Sequence, residues 1–315
     1  MSSTILRVRF AIAGAGNIVA HAVPEPAMRV LKRPPLPMLV GRRLPFSYLA
    51  RHYLRRWHML DAFAPFRFHG GKVVVPLDEY DVWHYLDLDK YHLNRVRNFA
   101  AIADRLMPAF DFIDCGAHLG LFSAQFSKQS RNLRAIIAFE PNGTLFPFLE
   151  GNIRAGGFDN VSTLKAALAD FRGQGRLCAP VYDPTSSQAL FIEPDPAGEV
   201  EVMTLDDIAD RLGSGRVGSS VALKLDIEGT ELEVLRGGQD FIRSLRQIVI
   251  CLEFHRKVLA RIGRTDVGML AEIAAIRKLR WVDAGDPTRV IDPRRSVWEQ
   301  TNTSHQCDLI GFEDG

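Results

Sequence analysis

The sequence predicts an α/β fold built on a largely parallel sheet. Three observations lead there. From Phe110 onward, apolar strand-like runs alternate with helical stretches, the pattern of successive βα units. The first of these runs ends in a glycine turn, DFIDCGAHLGLFS, that opens into an apolar helix start. With 315 residues and 47% apolar content, the chain can bury the core such a sheet needs.

Taken in order, strands are expected at Phe110–Asp114, Ala135–Phe139, Val161–Ala167, Val221–Asp226 and Ile248–Glu253, with later ones near Trp281–Asp283 and Cys307–Phe312. Each is a short run rich in β-branched, aromatic or aliphatic residues, as strands buried on both faces require. Between the third and fourth, Gly173 to Met203 is rich in Pro, Gly and Ser. Its runs GRLCAP and GEVEVMTL point to a short hairpin or lid beside the sheet. Asp87 to Leu106 reads as a helix delivering the chain to the first strand. The expected division is a basic, proline-rich N-terminal arm with an amphipathic helix over 1–70, a helical lead-in and substrate cap over 71–109, and a ligand-binding α/β domain over 110–315.

Charge separates the arm from the rest. The formal net charge is +2, but the first 60 residues hold ten Lys or Arg against one acid, Glu25, and the remainder holds 29 basic and 36 acidic residues. A nucleic-acid binder would carry its basic surface on the fold itself, so no nucleic-acid partner is expected. Prolines at 24, 26, 34, 35, 37 and 45 break the arm, after which Leu49, Tyr53, Trp57 and Leu60 fall at helical spacing, with Arg51, Arg55 and Arg56 elsewhere. Two readings stand for this helix: packing on the main domain or on a second subunit of a homo-oligomer, and contact with an anionic membrane surface or glycolipid.

Cys115, Cys178, Cys251 and Cys307 lie far apart with no C-x-x-C pair, so neither a zinc site nor a disulfide framework is indicated. They read as free thiols in a reducing compartment, which makes the expected location cytoplasmic, with peripheral membrane attachment through the arm as the second reading. Phe10 to Val23 is too short and too interrupted by Asn17 to span a bilayer.

Two glycine turns compete for a cofactor. The first, RFAIAGAGNIVA, resembles a dinucleotide turn, but Pro24 and Pro26 follow it, and no acid stands where the second strand should end. The second keeps its context. Phe110 to Asp114 leads to Gly116-Ala117-His118-Leu119-Gly120, a helix follows, and the next strand ends on Glu140, placed to accept hydrogen bonds from both ribose hydroxyls. The D-x-G-x-x-x-G form suits a ligand with an amino-acid tail in place of a pyrophosphate, namely S-adenosylmethionine.

At this point the sequence resembles the FkbM family of S-adenosylmethionine-dependent methyltransferases. The stretches that carry the resemblance are FIDCGAHLGLFS, AFEPNGTLFPFLEGNI, LKAALAD, VEVMTLDDI, VALKLDIEGTELEVLRGG and ICLEFH, in the family's order over roughly 110–256. The resemblance implies a class I, Rossmann-like methyltransferase fold: a seven-stranded, mostly parallel sheet with its last strand antiparallel and helices on both faces. It also implies O-methylation of a sugar, a glycolipid or polysaccharide, or a secondary metabolite. By the same likeness Asp114, Gly116, Ala117 and Gly120 surround the methionine end, Glu140 the ribose with Asn142 nearby, and Ala169 and Asp170 the adenine. His118 stands where the family usually has a polar amide. The acid often found well before the first strand is not evident in KYHLNRVRNF.

Ligands of open α/β sheets bind outside the carboxyl ends of the strands. Here those ends offer Lys224, Asp226 and Glu228 from VALKLDIEGTE, and Glu253 and His255 from ICLEFH. Lys224 reads either as a catalytic group or as an ion-pair partner of Asp226, whereas Glu231 and Glu233 read as an exposed helix face. The favoured base is His255, oriented by Glu253 or Asp226. The competing account places Mg²⁺ on Asp226 and Glu253, and it is disfavoured because Lys224 would repel a cation. Other readings are a protein that binds S-adenosylmethionine without catalysis as an assembly partner, and a nicotinamide-dependent oxidoreductase using Gly14 and Gly16.

Overall fold

The computed structural model describes residues 63–69, 71–76, 88–90, 92–180, 190–211 and 220–313. The Gly14/Gly16 turn and the amphipathic helix of the arm lie outside the described residues. Two compact units are present. The smaller one holds an antiparallel hairpin of β1 (Phe63–Phe68) and β2 (Gly71–Pro76), together with Glu150–Gly157. Within it the Asn152 side chain accepts from the Val74 N–H at 2.7 Å and donates to the Val74 carbonyl at 3.0 Å. No strand was expected there; GKVVVP is a β-branched run bounded by glycine and proline, a strand signal that the helical reading of the lead-in passed over.

The larger unit carries a mixed sheet. Its strands are β3 (Phe110–Cys115), β4 (Leu133–Phe139), β5 (Val161–Leu164), β10 (Ser220–Leu225), β11 (Gln247–His255), β12 (Arg280–Asp283), β13 (Val290–Ile291) and β14 (Gln306–Phe312). The strand order is β13-β12-β14-β11-β10-β3-β4-β5. From β5 to β11 all pairings are parallel, while β14 runs antiparallel to both β11 and β12. Eight strands replace the expected seven because the two-residue β13 pairs back on β12. Every residue of β3 and of β10 is buried, which is why these strands read as near-continuous apolar runs.

The expected strand Val161–Ala167 is divided. Its first part, β5, stays in the large sheet, and β6 (Ala167–Leu168) enters a second sheet with β7 (Gly173–Cys178), β8 (Phe191–Pro194) and β9 (Val200–Met203), in the order β6-β9-β7-β8. The insertion therefore builds a separate four-stranded sheet. Helices α1 (Leu93–Leu106), α2 (Leu121–Gln129), α3 (Phe146–Ala155), α4 (Asp206–Arg211), α5 (Glu231–Arg236), α6 (Gln239–Ser244), α7 (Arg256–Arg261), α8 (Asp266–Ile276) and α9 (Val297–Thr301) connect the strands. Buried side chains of α5, α6 and α8 join one core cluster with β10 and β11, and those of α1 and α2 join another with β3 and β14. None of these helices is long and apolar enough to cross a membrane.

Candidate active site

Strand register assembles the site at the carboxyl ends of β3, β10 and β11. Asp114 stands beside Lys224 across the β3–β10 pairing, and Glu253 stands opposite Asp308 across β11–β14. Leu225 pairs with Leu252, so Asp226 leaves β10 level with Glu253.

Lys224 binds the first group together. Its Nζ lies 3.1 Å from Asp114 Oδ1 and 3.2 Å from Asp226 Oδ2, and it donates to the Gly116 carbonyl at 3.0 Å. Three partners use all three ammonium protons. Burial alone would favour the neutral amine, but Asp114 and Asp226 push the Lys224 pKa above the ordinary lysine value. Lys224 is therefore a standing cation that positions the two turns. Ser123 Oγ completes Asp114, donating to Oδ2 at 2.6 Å.

Arg95, from α1, gathers the second group. Its guanidinium lies 3.7 Å from Asp226 Oδ2 and 3.6 Å from Glu253 Oε1, and it donates to Asp308 Oδ1. Lys224 Nζ and the Arg95 guanidinium both sit over the Phe122 ring, 5.2 and 5.1 Å from its centroid. Burial, the neighbouring charge of Asp226 and a hydrogen bond to it push Glu253 well above the usual carboxylate range. Burial works the same way on Asp226, but Lys224, the hydrogen bond from Glu253 and Arg95 outweigh it and hold Asp226 well below that range. The proton of the pair thus resides on Glu253. Three residues before Arg95, His92 is pushed down to about 3 by burial and by Arg95, and stays neutral.

His255 departs from expectation. Among the described residues no carboxylate bonds its Nδ1, which is buried with no hydrogen-bond partner. Glu253 instead accepts from Gln306 Nε2 and bonds Asp226, and Asp226 is held by Lys224. Burial, with the charges of Lys257 and Arg261 nearby, lowers the His255 pKa, so the imidazole is neutral at neutral pH.

The glycine turn and the second-strand carboxylate form one assembly. Gly116 and Gly120 adopt φ of +80° and +78°, and a Cβ at Gly116 would stand 2.1 Å from the Asp226 carbonyl oxygen. Only glycine allows that approach. The N–H groups of Gly116 and Ala117 both donate to the Phe139 carbonyl, at 3.1 and 2.8 Å. Glu140 accepts from the His118 N–H through Oε2 and from the Asn142 N–H through Oε1, each at 2.8 Å. Burial raises the Glu140 pKa against those bonds. Asn142 Oδ1 in turn accepts from the Thr144 N–H at 2.9 Å.

Ala169 and Asp170 directly follow β6. The Ala169 N–H donates to the Met203 carbonyl at 3.0 Å, and its own carbonyl packs on the turn at Gly237, where a Cβ would come within 2.3 Å of it. Asp170 beside it is exposed. Glu228 adopts φ of +59°, and its carbonyl accepts from Arg261. Glu231 is buried, against its expected exposure: its Oε1 accepts from the N–H groups of Ile227 and Gly229, at 3.2 and 3.0 Å. An acid in the first turn of a helix faces N–H groups that need acceptors, and that was the overlooked signal. Among the described residues no group of three or more His, Cys, Asp or Glu is arranged to hold a metal ion.

The model of the methyltransferase FkbM domain matches residues 114–279, more than half of the chain. The chain belongs to the FkbM methyltransferase family. It is thus an S-adenosylmethionine-dependent methyltransferase by family, and S-adenosylmethionine is the cofactor expected of it. Arg95, His92 and Asp308 all lie outside the residues that define the FkbM domain, although Arg95 and Asp308 bond directly into its cluster. Similar solved structures include the methyltransferase FkbM from Methylobacillus flagellatus KT, at 16% identity and TM-score 0.42, covering 74% of this chain and 53% of that one. The chain therefore spans about half the length of that protein. Another is TYW2 of M. jannaschii in complex with AdoMet, at 11% identity and TM-score 0.41, covering 80% of this chain and 87% of that one. A third is geranyl diphosphate methyltransferase in complex with SAM, at 12% identity and TM-score 0.42, covering 75% and 90%. No curated protein matches the chain significantly.

Proposed function

We propose that this FkbM methyltransferase methylates a hydroxyl of a sugar, a glycolipid or polysaccharide, or a secondary metabolite. The observation that carries the reading is His255, a neutral imidazole with an unpartnered nitrogen at the carboxyl end of β11. An alcohol must lose its proton as its oxygen bonds carbon, and a neutral imidazole within hydrogen-bonding reach is the group suited to take it.

The residues fit S-adenosylmethionine. Asp114, Gly116, Ala117, His118 and Gly120 would hold its methionine end, Glu140 and Asn142 its ribose, and Ala169 and Asp170 its adenine. Glu140 supports that role, because each carboxylate oxygen uses one acceptor position on a backbone N–H and keeps another for a ribose hydroxyl. Bound, the cofactor supplies an electrophilic methyl group on a positive sulfonium. Asp226, held ionised by Lys224 and Arg95 at the carboxyl end of β10, is the carboxylate of this cluster suited to face that sulfonium. Mg²⁺ does not fit. Asp226 and Glu253, the ligands it would need, already face Lys224 and Arg95, whose charges would repel a second cation.

Calorimetry of the full chain with S-adenosylmethionine and S-adenosylhomocysteine, followed by S-adenosylhomocysteine release over a panel of sugar acceptors, tests the reading. Binding of both ligands and release that depends on a hydroxylated acceptor are expected. A folded sample that binds neither ligand would overturn it.

A further inference from the structure

Around His255 the sign of charge reverses. Beyond residue 60 the chain carries 36 acidic against 29 basic residues, yet His255 is followed by Arg256 and Lys257, with Arg261 one turn further along α7. His305 adjoins them, its carbonyl accepting from the Arg256 N–H at 2.8 Å. Arg261 is the least satisfied of these cations. Its Nη2 donates to the Glu228 carbonyl and its guanidinium stacks on Phe191, 4.0 Å from the ring centroid, but Nε and Nη1 are buried with no acceptor.

Nearby arginines differ. Arg264 pairs with Glu233, Arg236 with Glu272 and Arg277 with Glu313. Arg261 and Arg256 have no carboxylate among the described residues; Arg256 reaches only the Ser304 carbonyl at 3.5 Å and the Trp298 ring at 5.6 Å. A buried guanidinium N–H without an acceptor is costly, and the planar fork is shaped for an oxyanion. We propose that Arg261 forms an anion subsite beside His255, so that the methyl acceptor carries a carboxylate or phosphate near the hydroxyl that is methylated. This rests on the methyl-transfer reading and narrows its acceptor to an anionic, hydroxylated molecule.

The test titrates the full chain with D-glucuronate, D-glucose 1-phosphate and D-glucose by calorimetry at constant ionic strength, with and without saturating S-adenosylhomocysteine. At least one anionic probe should bind about 10-fold or more tighter than glucose, and which one does so separates carboxylate from phosphate. Arg261→Gln should reduce that probe to the level of glucose without changing affinity for S-adenosylhomocysteine. Bound anion should also raise the His255 pKa read by NMR in the wild-type chain, a measurement that stands if the variant fails to fold. Equal binding of all three probes, a preference that survives Arg261→Gln, or an unmoved His255 would overturn the subsite. Failure to bind S-adenosylhomocysteine would instead remove the methyl-transfer reading, and the titrations without it would still decide the subsite.

Discussion

Replacing Lys224 by methionine keeps the apolar stem over Phe122 and removes the charge between Asp114 and Asp226. Asp114 is fully buried, and Lys224 is its sole cationic partner at 3.1 Å among the described residues. Breaking a buried ion pair from one side costs about 3–5 kcal/mol, against a total stability of about 5–15 kcal/mol for a native domain. The loss should depend on pH. Asp226 is held below its unfolded value of 3.8, so it contributes stability that is present above that value and is lost as pH falls through its lower folded pKa. Without Lys224 that contribution is gone at neutral pH, while in acid the wild-type chain loses it too and the gap narrows. Urea denaturation followed by circular dichroism at about pH 7.5 and about pH 2 measures both terms; the deficit should be about 3–5 kcal/mol at the first and clearly smaller at the second, which lies between the unfolded and the folded value of Asp226. A deficit under about 1 kcal/mol, or one equal at both pH values, would refute the view that Lys224 balances these carboxylates.

Glu253→Gln tests where the shared proton lies. Glu253 is held above its unfolded value of 4.5, so its stabilising contribution is present below that value and lost as pH rises through the folded pKa. The amide keeps a donor for Asp226 and an acceptor for Gln306, so urea midpoints of Glu253→Gln should match or exceed wild type in alkali, and a lower midpoint there would place the proton elsewhere. His255→Ala should reduce turnover by about 10²–10⁴-fold with cofactor affinity preserved. The acid limb of the wild-type rate profile should lie below the ordinary imidazole value of 6.5, because burial and the neighbouring Lys257 and Arg261 depress the pKa; a limb above it would remove His255 as the base. Glu140→Ala should weaken cofactor binding by about 1–3 kcal/mol in calorimetry, and unchanged affinity would mean that another group holds the ribose.

The central strands were legible because β3 and β10 are covered on both faces and so are apolar at four of their six positions. The D-x-G-x-x-x-G turn and Glu140 were legible too, since positive φ calls for glycine and a strand end calls for a polar residue. What local pattern could not give is partner choice. Val161–Ala167 reads as one strand, and only tertiary pairing sends its two halves into different sheets. His255 and Glu253 share a strand face, yet Glu253 bonds Asp226 and Gln306 instead.

Arg95 was missed for a different reason. In LNRVRNFAAIADRL it resembles Arg97, one more basic residue on a solvated helix, but its position with Phe99 and Ile102 places it on the buried stripe of α1, while Arg97 is exposed. A guanidinium at a core position must be met by buried acids, and α1 supplies none on that face. Its counter-charges have to come from the strands on which the helix packs, and the polar ends of β10, β11 and β14 offer Asp226, Glu253 and Asp308. A cation on an apolar helical stripe that precedes β3 was therefore the readable sign that the acidic cluster extends beyond the glycine-turn and strand-end motifs, to one helix before them and one strand after.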